Sequence, residues 1–335
     1  MSRRRIRFDG PGRVSVESRP RPDPGPDEVL IETACSAVSP GTEGLLFAGA
    51  APASLPTDGP PDAIGQDLSY PLAPGYAAVG RVRAVGAAVD ESWLDKRVFA
   101  YHSHESHFCV SPAELVSVPD TVETREAAFL ATMETAVTLV LDGAPLLGER
   151  VAVFGQGVVG LLTTALVAAS SVESVLAVER VERRRERARA LGATEAISPD
   201  RLDHDDGDGV VGLPTDLTFE LTGNPDTLDG AIEVTGFDGR VVVGSWYGTN
   251  PVSVDLGGRF HRDRIDLRSS QVSTIPPALS GRWSRERRHR VAWEWIERLD
   301  VASLCTHELS IEQAESAYRL LDDPRAAIQV LFTYD

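Results

Sequence analysis

Lysine occurs once in this chain, at Lys96, so every other member of its 33 Lys and Arg residues is an arginine. Cysteine is nearly as scarce. Cys35, Cys109 and Cys305 stand far apart and are odd in number, which excludes a disulfide framework and a cysteine-rich zinc lobe. No run approaches the roughly 20 consecutive apolar residues that span a bilayer. The basic start, MSRRRIRF, has no apolar stretch behind it of the kind a secretory signal carries. These absences lead to the expectation of a soluble, cytoplasmic protein with no membrane partner. Positive charge is also in deficit: Asp and Glu number 50, giving a net charge of −17, which argues against nucleic-acid binding. An acidic surface almost without lysine suits a halophilic cytoplasm, where molar salt shortens the Debye length to about 3 Å. A GC-rich genome, which favours Arg over Lys, is the plainer alternative.

At 335 residues with 42% apolar composition, the chain is long for one core, and two domains are expected. Up to residue 118, short β-like runs alternate with Gly- and Pro-rich turns: RIRF, RVSVES, EVLIET, AAVGRVRAVG, RVFAY and LVSVP, interrupted by a loop-rich stretch at 49–67. This texture predicts a mostly antiparallel domain. Beyond Pro119 the pattern predicts a helix over 124–144 closed by Gly143. Strands and helices then alternate: VAVFG, VVGLLTTALVAAS, SVLAVE, RVERRRERARALGA, TDLTFELTG, TLDGAIEVT and RVVVGSW, the signature of a doubly wound parallel sheet. From about residue 268 the elements are mixed, with helices at 284–299 and 310–322 and a final strand, AIQVLFTY. The acidic run LDHDDGDG at 202–209 reads as a solvated loop.

One loop carries a strong signal. Gly155, Gln156, Gly157, Val158, Val159 and Gly160 form a G-x-G-x-x-G motif directly after the strand VAVF and at the start of a helix. Glycines there let the backbone turn tightly and approach a pyrophosphate, whose charge rests on the helix N-terminus. Glu179 ends the next strand, where a carboxylate accepts hydrogen bonds from a ribose and repels a 2′-phosphate. NAD is therefore expected over NADP, although Arg180 could serve a phosphate. A Gly-rich turn beside a surface glutamate is the bland alternative.

A second stretch, FAYHSHESHFCV at 99–110, packs His102, His104, Glu105 and His107 into six positions. It reads as a metal site, an acid–base site or a polar loop. The order of parts bears on that choice. PGYAAVGRVRAVG (74–86), KRVFA (96–100), VAVFGQGVVGLL (151–162), RARALGAT (187–194) and the tail IEQAESAYRLLDDPRAAIQVLF together resemble the medium-chain dehydrogenase/reductase superfamily, which includes alcohol and polyol dehydrogenases. SPGTE and META resemble more narrowly a zinc-less branch that contains bacteriochlorophyllide dehydrogenases. The resemblance implies an α/β protein: a GroES-like, mainly β catalytic domain formed by 1–131 and 269–335, and a Rossmann domain formed by 132–268. It also implies an active site in a cleft between the two and a homodimer.

The sequence departs from that family where zinc would bind. Zinc-dependent members place a cysteine where this chain has Ser39, and His-Glu where it has Tyr76-Ala77; hydroxyls bind Zn²⁺ poorly when neutral. Glu134 corresponds to the third ligand position. No metal is expected, although Glu134 with His102 and His104, two apart on one strand face, would be a way to rebuild a site. The hydride belongs to the nicotinamide, so the protein must supply a proton donor or acceptor. The candidates are Thr42, aligned with a relay hydroxyl of zinc-dependent relatives, with Glu43, Tyr76, Glu134, His102 and His104. Each has a plainer reading: Thr42 as the cap of a helix beginning at Glu43, Glu43 and Glu134 as buried partners of arginines, and His107 as a strand residue. The resemblance adds Thr222, Gly223, Gly244 and Ser245 as cofactor contacts at strand ends, and Arg184 beside the adenine or as an exposed helix charge.

The segment GRWSRERRHRVAWEWIERL (281–299) interleaves arginine with tryptophan. Val291, Trp295, Ile296 and Leu299 predict the apolar face of a core helix, with capture of an anionic substrate group as the alternative. The reading favoured is an NAD-dependent, zinc-independent oxidoreductase acting on an alcohol or carbonyl of a small molecule. An NADPH-dependent quinone or C=C reductase and a non-catalytic nucleotide-binding regulator are the alternatives.

Overall fold

Two units of chain separate in the computed structural model: Met1–Ala131 with His289–Asp335, and Thr132–Arg288. Residues 2–55, 67–202 and 214–334 are described. The acidic run at 202–209, except its first residue, and most of the 49–67 loop lie outside them. The second unit continues to Arg288, beyond the 268/269 boundary read from the sequence.

In the first unit, β1 (Ser2–Gly10) and β2 (Arg13–Pro20) form an antiparallel hairpin. Then come β3 (Val29–Ala37), helix α1 (Thr42–Ala48), β4 (Ala78–Val85), β5 (Arg97–Ala100), β6 (His107–Val110), β7 (Leu115–Ser117) and α2 (Thr124–Ala127). Alternation explains β4: Val82 points inward while Arg81 and Arg83 face solvent. After α3 (Leu130–Gly143), the second unit runs through β8 (Arg150–Phe154), α4 (Val158–Ala168), β9 (Ser174–Val178), α5 (Glu182–Ala190), β10 (Glu195–Ile197) and β11 (Thr215–Glu220). It continues with α6 (Leu228–Val234), β12 (Thr235–Val243), α7 (Arg259–Arg262) and β13 (Asp266–Ser269). Helix α8 (Arg285–Arg298) leads back to the first unit, which ends in β14 (Cys305–Ser310), α9 (Ala314–Arg319) and β15 (Gln329–Thr333).

The sheet of the first unit runs β14-β15-β3-β4-β5-β7, with β6 also on β3; it is antiparallel except for the β14–β15 pair. The sheet of the second unit runs β10-β9-β8-β11-β12-β13, all parallel. This is the strand order of a dinucleotide-binding fold, in which the chain reverses direction beside β8. Both faces of its central strands are covered, so β8 and β9 are near-continuous apolar runs, whereas the edge strand β13 is polar and exposed. Ala152 and Phe154 pack with Leu228, Ala231 and Ile232 of α6 on one face; Val151 and Val153 pack with Leu139 of α3 and Val167 of α4 on the other.

Several sequence expectations need correction. The helix expected over 124–144 is broken at Ala128–Phe129, where Phe129 N–H donates to Glu126 in a tighter turn. Gly143 does close α3, as expected, with the left-handed turn following at Ala144, at φ 45°. A Cβ on Gly143 would stand 2.5 Å from the Phe219 ring. Helix α1 starts at Thr42 with Gly41 as its cap, so Thr42 does not cap a helix beginning at Glu43. Only Ala314–Arg319 of the 310–322 segment is α-helical, flanked by tight 3-10 turns. On α8 the buried side chains are Arg288, Ala292, Trp293 and Ile296, whereas Val291, Trp295 and, just beyond the helix, Leu299 are half-buried. Among the described residues, no helix is long and apolar enough to cross a membrane.

Candidate functional site

The glycine motif joins β8 to α4, and each glycine meets a different demand. Gly155 turns the chain at φ 85°, and a Cβ there would come within 2.7 Å of the Leu221 carbonyl. Gly160 lets α4 pack on the loop, because its Cβ would stand 1.9 Å from the Gly155 oxygen. Gly157 caps α4, and nothing lies within 4 Å of where its Cβ would be. The first turn of α4, starting at Val158 and Val159, therefore offers its helix N-terminus to open space, the cradle an anionic diphosphate needs. The Gln156 side chain turns away from that space: its Nε2 donates to Val153 O at 3.0 Å and its Oε1 accepts from Thr164 at 3.0 Å.

Glu179 lies at the end of β9 and is 6% exposed. Its carboxylate accepts from Gln156 N at 2.8 Å and Val181 N at 2.9 Å, one bond per oxygen, leaving lone pairs for further donors. Arg184 is no exposed helix charge. Its guanidinium is 3.8 Å from Glu179, and burial lowers its pKa. Beyond β11 and β12, Gly244 N donates to Glu220 O at 3.0 Å and Gly223 N to Ser245 Oγ at 2.8 Å, tying the two loops together. Sequence reasoning missed Glu220, a buried carboxylate holding Thr222 by its N–H at 2.8 Å and by its hydroxyl. It also takes the hydroxyls of Thr227, at 3.1 Å, and Tyr247, whose phenol burial pushes well above its ordinary pKa. An acidic residue closing the apolar strand LTFE was the available signal.

In the first unit, the structure brings Glu43, His104 and Tyr76 into one neighbourhood. His104 and Glu43 are fully buried, with Nε2 and Oε2 2.9 Å apart. Glu43 also accepts from Ser39 N at 2.7 Å, and Tyr76 OH donates to Ser39 Oγ at 2.6 Å. Sequence reasoning did not find Ser36, Tyr318 and Tyr334, which complete the network. Ser36 Oγ lies 2.6 Å from both His104 Nδ1 and the Tyr334 hydroxyl, and Tyr318 donates to Glu43 at 2.6 Å.

The clustered histidines do not act as a set. The His102 ring stacks on Phe108 with centroids 3.8 Å apart, and burial depresses its pKa to about 4. His107 lies on β6, 3.9 Å from Glu32, and Glu105 pairs with Arg3 at 2.8 Å. Residues 102–104 are not a strand, so the shared face that would join His102 and His104 as ligands does not form. Glu134, in the second unit, accepts from Arg288 at 2.6 and 3.0 Å, the arginine-pairing role.

A six-stranded nucleotide-type sheet with this glycine loop, joined in one chain to a mainly antiparallel unit, is the architecture of the alcohol-dehydrogenase-like oxidoreductases. Residues 158–285 match the model of the zinc-binding dehydrogenases. The chain is 25% identical over 341 residues to 2-desacetyl-2-hydroxyethyl bacteriochlorophyllide A dehydrogenase of Cereibacter sphaeroides, covering 93% of this chain and 92% of that one. Its fold is shared with a short chain alcohol dehydrogenase of Escherichia coli CFT073 complexed with NADH, at TM-score 0.79 and 18% identity over 99% of both chains. It is equally shared with a proposed zinc-binding dehydrogenase of Sinorhizobium meliloti 1021 bound to NADP, at TM-score 0.79 and 19% identity over 99% of both chains. The chain is an oxidoreductase similar to the medium-chain dehydrogenases.

The zinc in that family description does not suit the residues present. The Ser39 and Tyr76 hydroxyls hydrogen-bond to each other, and Glu134 is held by Arg288. Among the described residues, no three His, Cys, Asp or Glu side chains are grouped to hold a metal ion.

Proposed function

We propose that this protein is an NAD(H)-dependent, zinc-independent dehydrogenase acting on an alcohol or carbonyl of a small molecule. The observation that carries the reading is the 2.6 Å hydrogen bond between Tyr76 and Ser39. These are the positions where the resemblance places metal ligands. A hydroxyl pair there can donate a hydrogen bond to a substrate carbonyl oxygen, and can accept the proton of an alcohol while passing one of its own to water, the task otherwise left to a metal-bound group.

The nicotinamide cofactor supplies the hydride chemistry. Its diphosphate suits the N-terminus of α4 beside Gly157, and its adenosine ribose suits Glu179. The buried carboxylate favours two ribose hydroxyls over a 2′-phosphate, which supports NAD. Thr222, Gly244 and Ser245 belong to the loops at the carboxyl edge of the same sheet, where ligands of such sheets bind. Tyr76 acts as the proton donor, turning onto the substrate oxygen the hydrogen it otherwise gives to Ser39. The acidic, lysine-poor composition supports work in molar salt, and homodimerisation in the cytoplasm completes the reading.

The test is a fluorescence titration of metal-analysed protein with NADH and NADPH in molar KCl, followed by a panel of secondary alcohols. Tighter binding of NADH, with turnover in protein free of stoichiometric zinc, is expected. Preference for NADPH, or turnover that tracks zinc content, would overturn the reading.

A further inference from the structure

The Ser39–Tyr76 pair hangs from a single buried assembly. Glu43, with no exposed surface, takes three donors on its carboxylate: Ser39 N at 2.7 Å, Tyr318 OH at 2.6 Å and His104 Nε2 at 2.9 Å. A carboxylate only accepts, so His104 Nε2 carries the hydrogen of that bond. On its other side His104 Nδ1 meets Ser36 Oγ at 2.6 Å, and Ser36 meets Tyr334 at 2.6 Å.

His104 also holds the turn that carries Tyr76. Its backbone N–H donates to Pro74 O at 2.9 Å. Its ring lies so close to Gly75 that a Cβ there would stand 2.7 Å from the imidazole, and Gly75 sits at φ 101°. Ser39 is thus fixed through its N–H on Glu43, and Tyr76 through the Pro74–Gly75 turn on His104. Both partners of the 2.6 Å hydroxyl bond refer back to one hydrogen bond, that between His104 and Glu43.

We propose that His104 and Glu43 are positioning residues that aim the Tyr76 hydroxyl, with Ser36, Tyr318 and Tyr334 holding them in register. This rests on the reading of Tyr76 as the proton donor. Neither His104 nor Glu43 then moves the substrate proton. Their effect runs through the placement of Tyr76, and reaction rates are sensitive to placement at the ångström scale.

The experiment compares two substitutions. His104→Phe keeps a ring against Gly75 and removes the donor to Glu43. His104→Gln places an amide N–H near the position of Nε2. Each is measured for NADH affinity, for kcat and KM with an alcohol the wild type oxidises, and for the ¹³C signal of tyrosine Cζ, with Tyr76 assigned through Tyr76→Phe. His104→Phe is expected to lose about 30-fold or more in kcat, with KM and NADH affinity within about twofold, and to move the Tyr76 signal. His104→Gln is expected to recover most of kcat and to leave that signal in place.

An unmoved Tyr76 signal in His104→Phe overturns the proposal, as does a His104→Gln as impaired as His104→Phe. If His104→Phe does not fold, Glu43→Gln answers the same question by exchanging an acceptor for a donor opposite Nε2, with the same expected signal change. If the wild type oxidises no alcohol, the functional reading falls, while the Tyr76 signal still decides the positioning.

Discussion

Arg288 lays two N–H groups on one carboxylate oxygen of Glu134, Nη2 at 2.6 Å and Nε at 3.0 Å, and both side chains are 3% exposed. Its remaining nitrogen donates to Thr138 Oγ1 at 3.1 Å and Thr274 O at 3.0 Å. The carboxylate that the resemblance aligns with a third zinc-ligand position is therefore neutralised by a cation belonging to the protein. Such a pair resists loss of one partner more than loss of both, because a buried charge left behind is costly. Arg288→Met is expected to destabilise by about 3–5 kcal/mol in urea unfolding, and Glu134→Met/Arg288→Met to restore much of that. A single variant as stable as wild type would contradict the burial of the pair.

Metal removal follows from the same arrangement. Extensive dialysis against a chelator is expected to leave melting temperature, NADH binding and turnover unchanged, and metal analysis to find zinc far below one equivalent. A fall in melting temperature that added Zn²⁺ restores would return the metal to the site.

Gly157 and Gly160 separate two functions of one loop. A methyl at Gly160 would stand 1.9 Å from the Gly155 oxygen, so Gly160→Ala is expected to cost about 3 kcal/mol or more and to abolish cofactor binding with it. A methyl at Gly157 meets nothing within 4 Å. Gly157→Ala is expected to fold normally yet weaken NADH binding about tenfold or more, by filling the space a diphosphate would use. Calorimetric unfolding beside fluorescence titration checks both.

On the proposed reading, Glu179 sets the nucleotide preference. Glu179→Ala is expected to narrow the ratio of NADH to NADPH affinity about tenfold, by removing both the acceptor for ribose hydroxyls and the repulsion of a 2′-phosphate. An unchanged ratio would shift the assignment to Arg180 or Arg184.

His102 is expected to be a local source of acid lability. Burial depresses its pKa from 6.5 to about 4. Between those values the unfolded chain binds a proton there that the folded chain refuses, so stability rises with pH across the window and is lost as pH falls through it. The loss amounts to at most about 3 kcal/mol on going from pH 7 to pH 4. His102→Phe, which keeps a ring against Phe108, is expected to flatten that part of the curve, as urea unfolding at pH 4.5 and 7.5 would show.

The second unit was the more legible in sequence because its chemistry is local. The run VAVFGQGVVG names its strand, turn and helix within ten residues, and the carboxylate after SVLAV follows from the next crossover. The network around Glu43 depends instead on distant residues. Ser36 bonds His104 across 68 positions, Tyr318 bonds Glu43 across 275, and Tyr334 reaches Ser36 across 298. No period or short motif encodes such pairs, so His104 and Glu43 were visible as candidates while their partners were not. Arg288 was hidden for a related reason. In a helix crowded with arginine, nothing in the spacing marks the one that faces inward.

The interleaving of the two units sets an order for synthesis. Residues 132–288 are one uninterrupted stretch whose parallel sheet is complete when Arg288 is made. The other sheet must wait, because its central strand β3 pairs with β15, Leu331 lying opposite Ala37. A nascent chain therefore finishes its nucleotide unit while the Cys35–Ala37 end of β3 still lacks its partner strand, a short open edge during translation. Tyr334 follows directly on β15, so its bond to Ser36 also closes only after the nucleotide unit has been made.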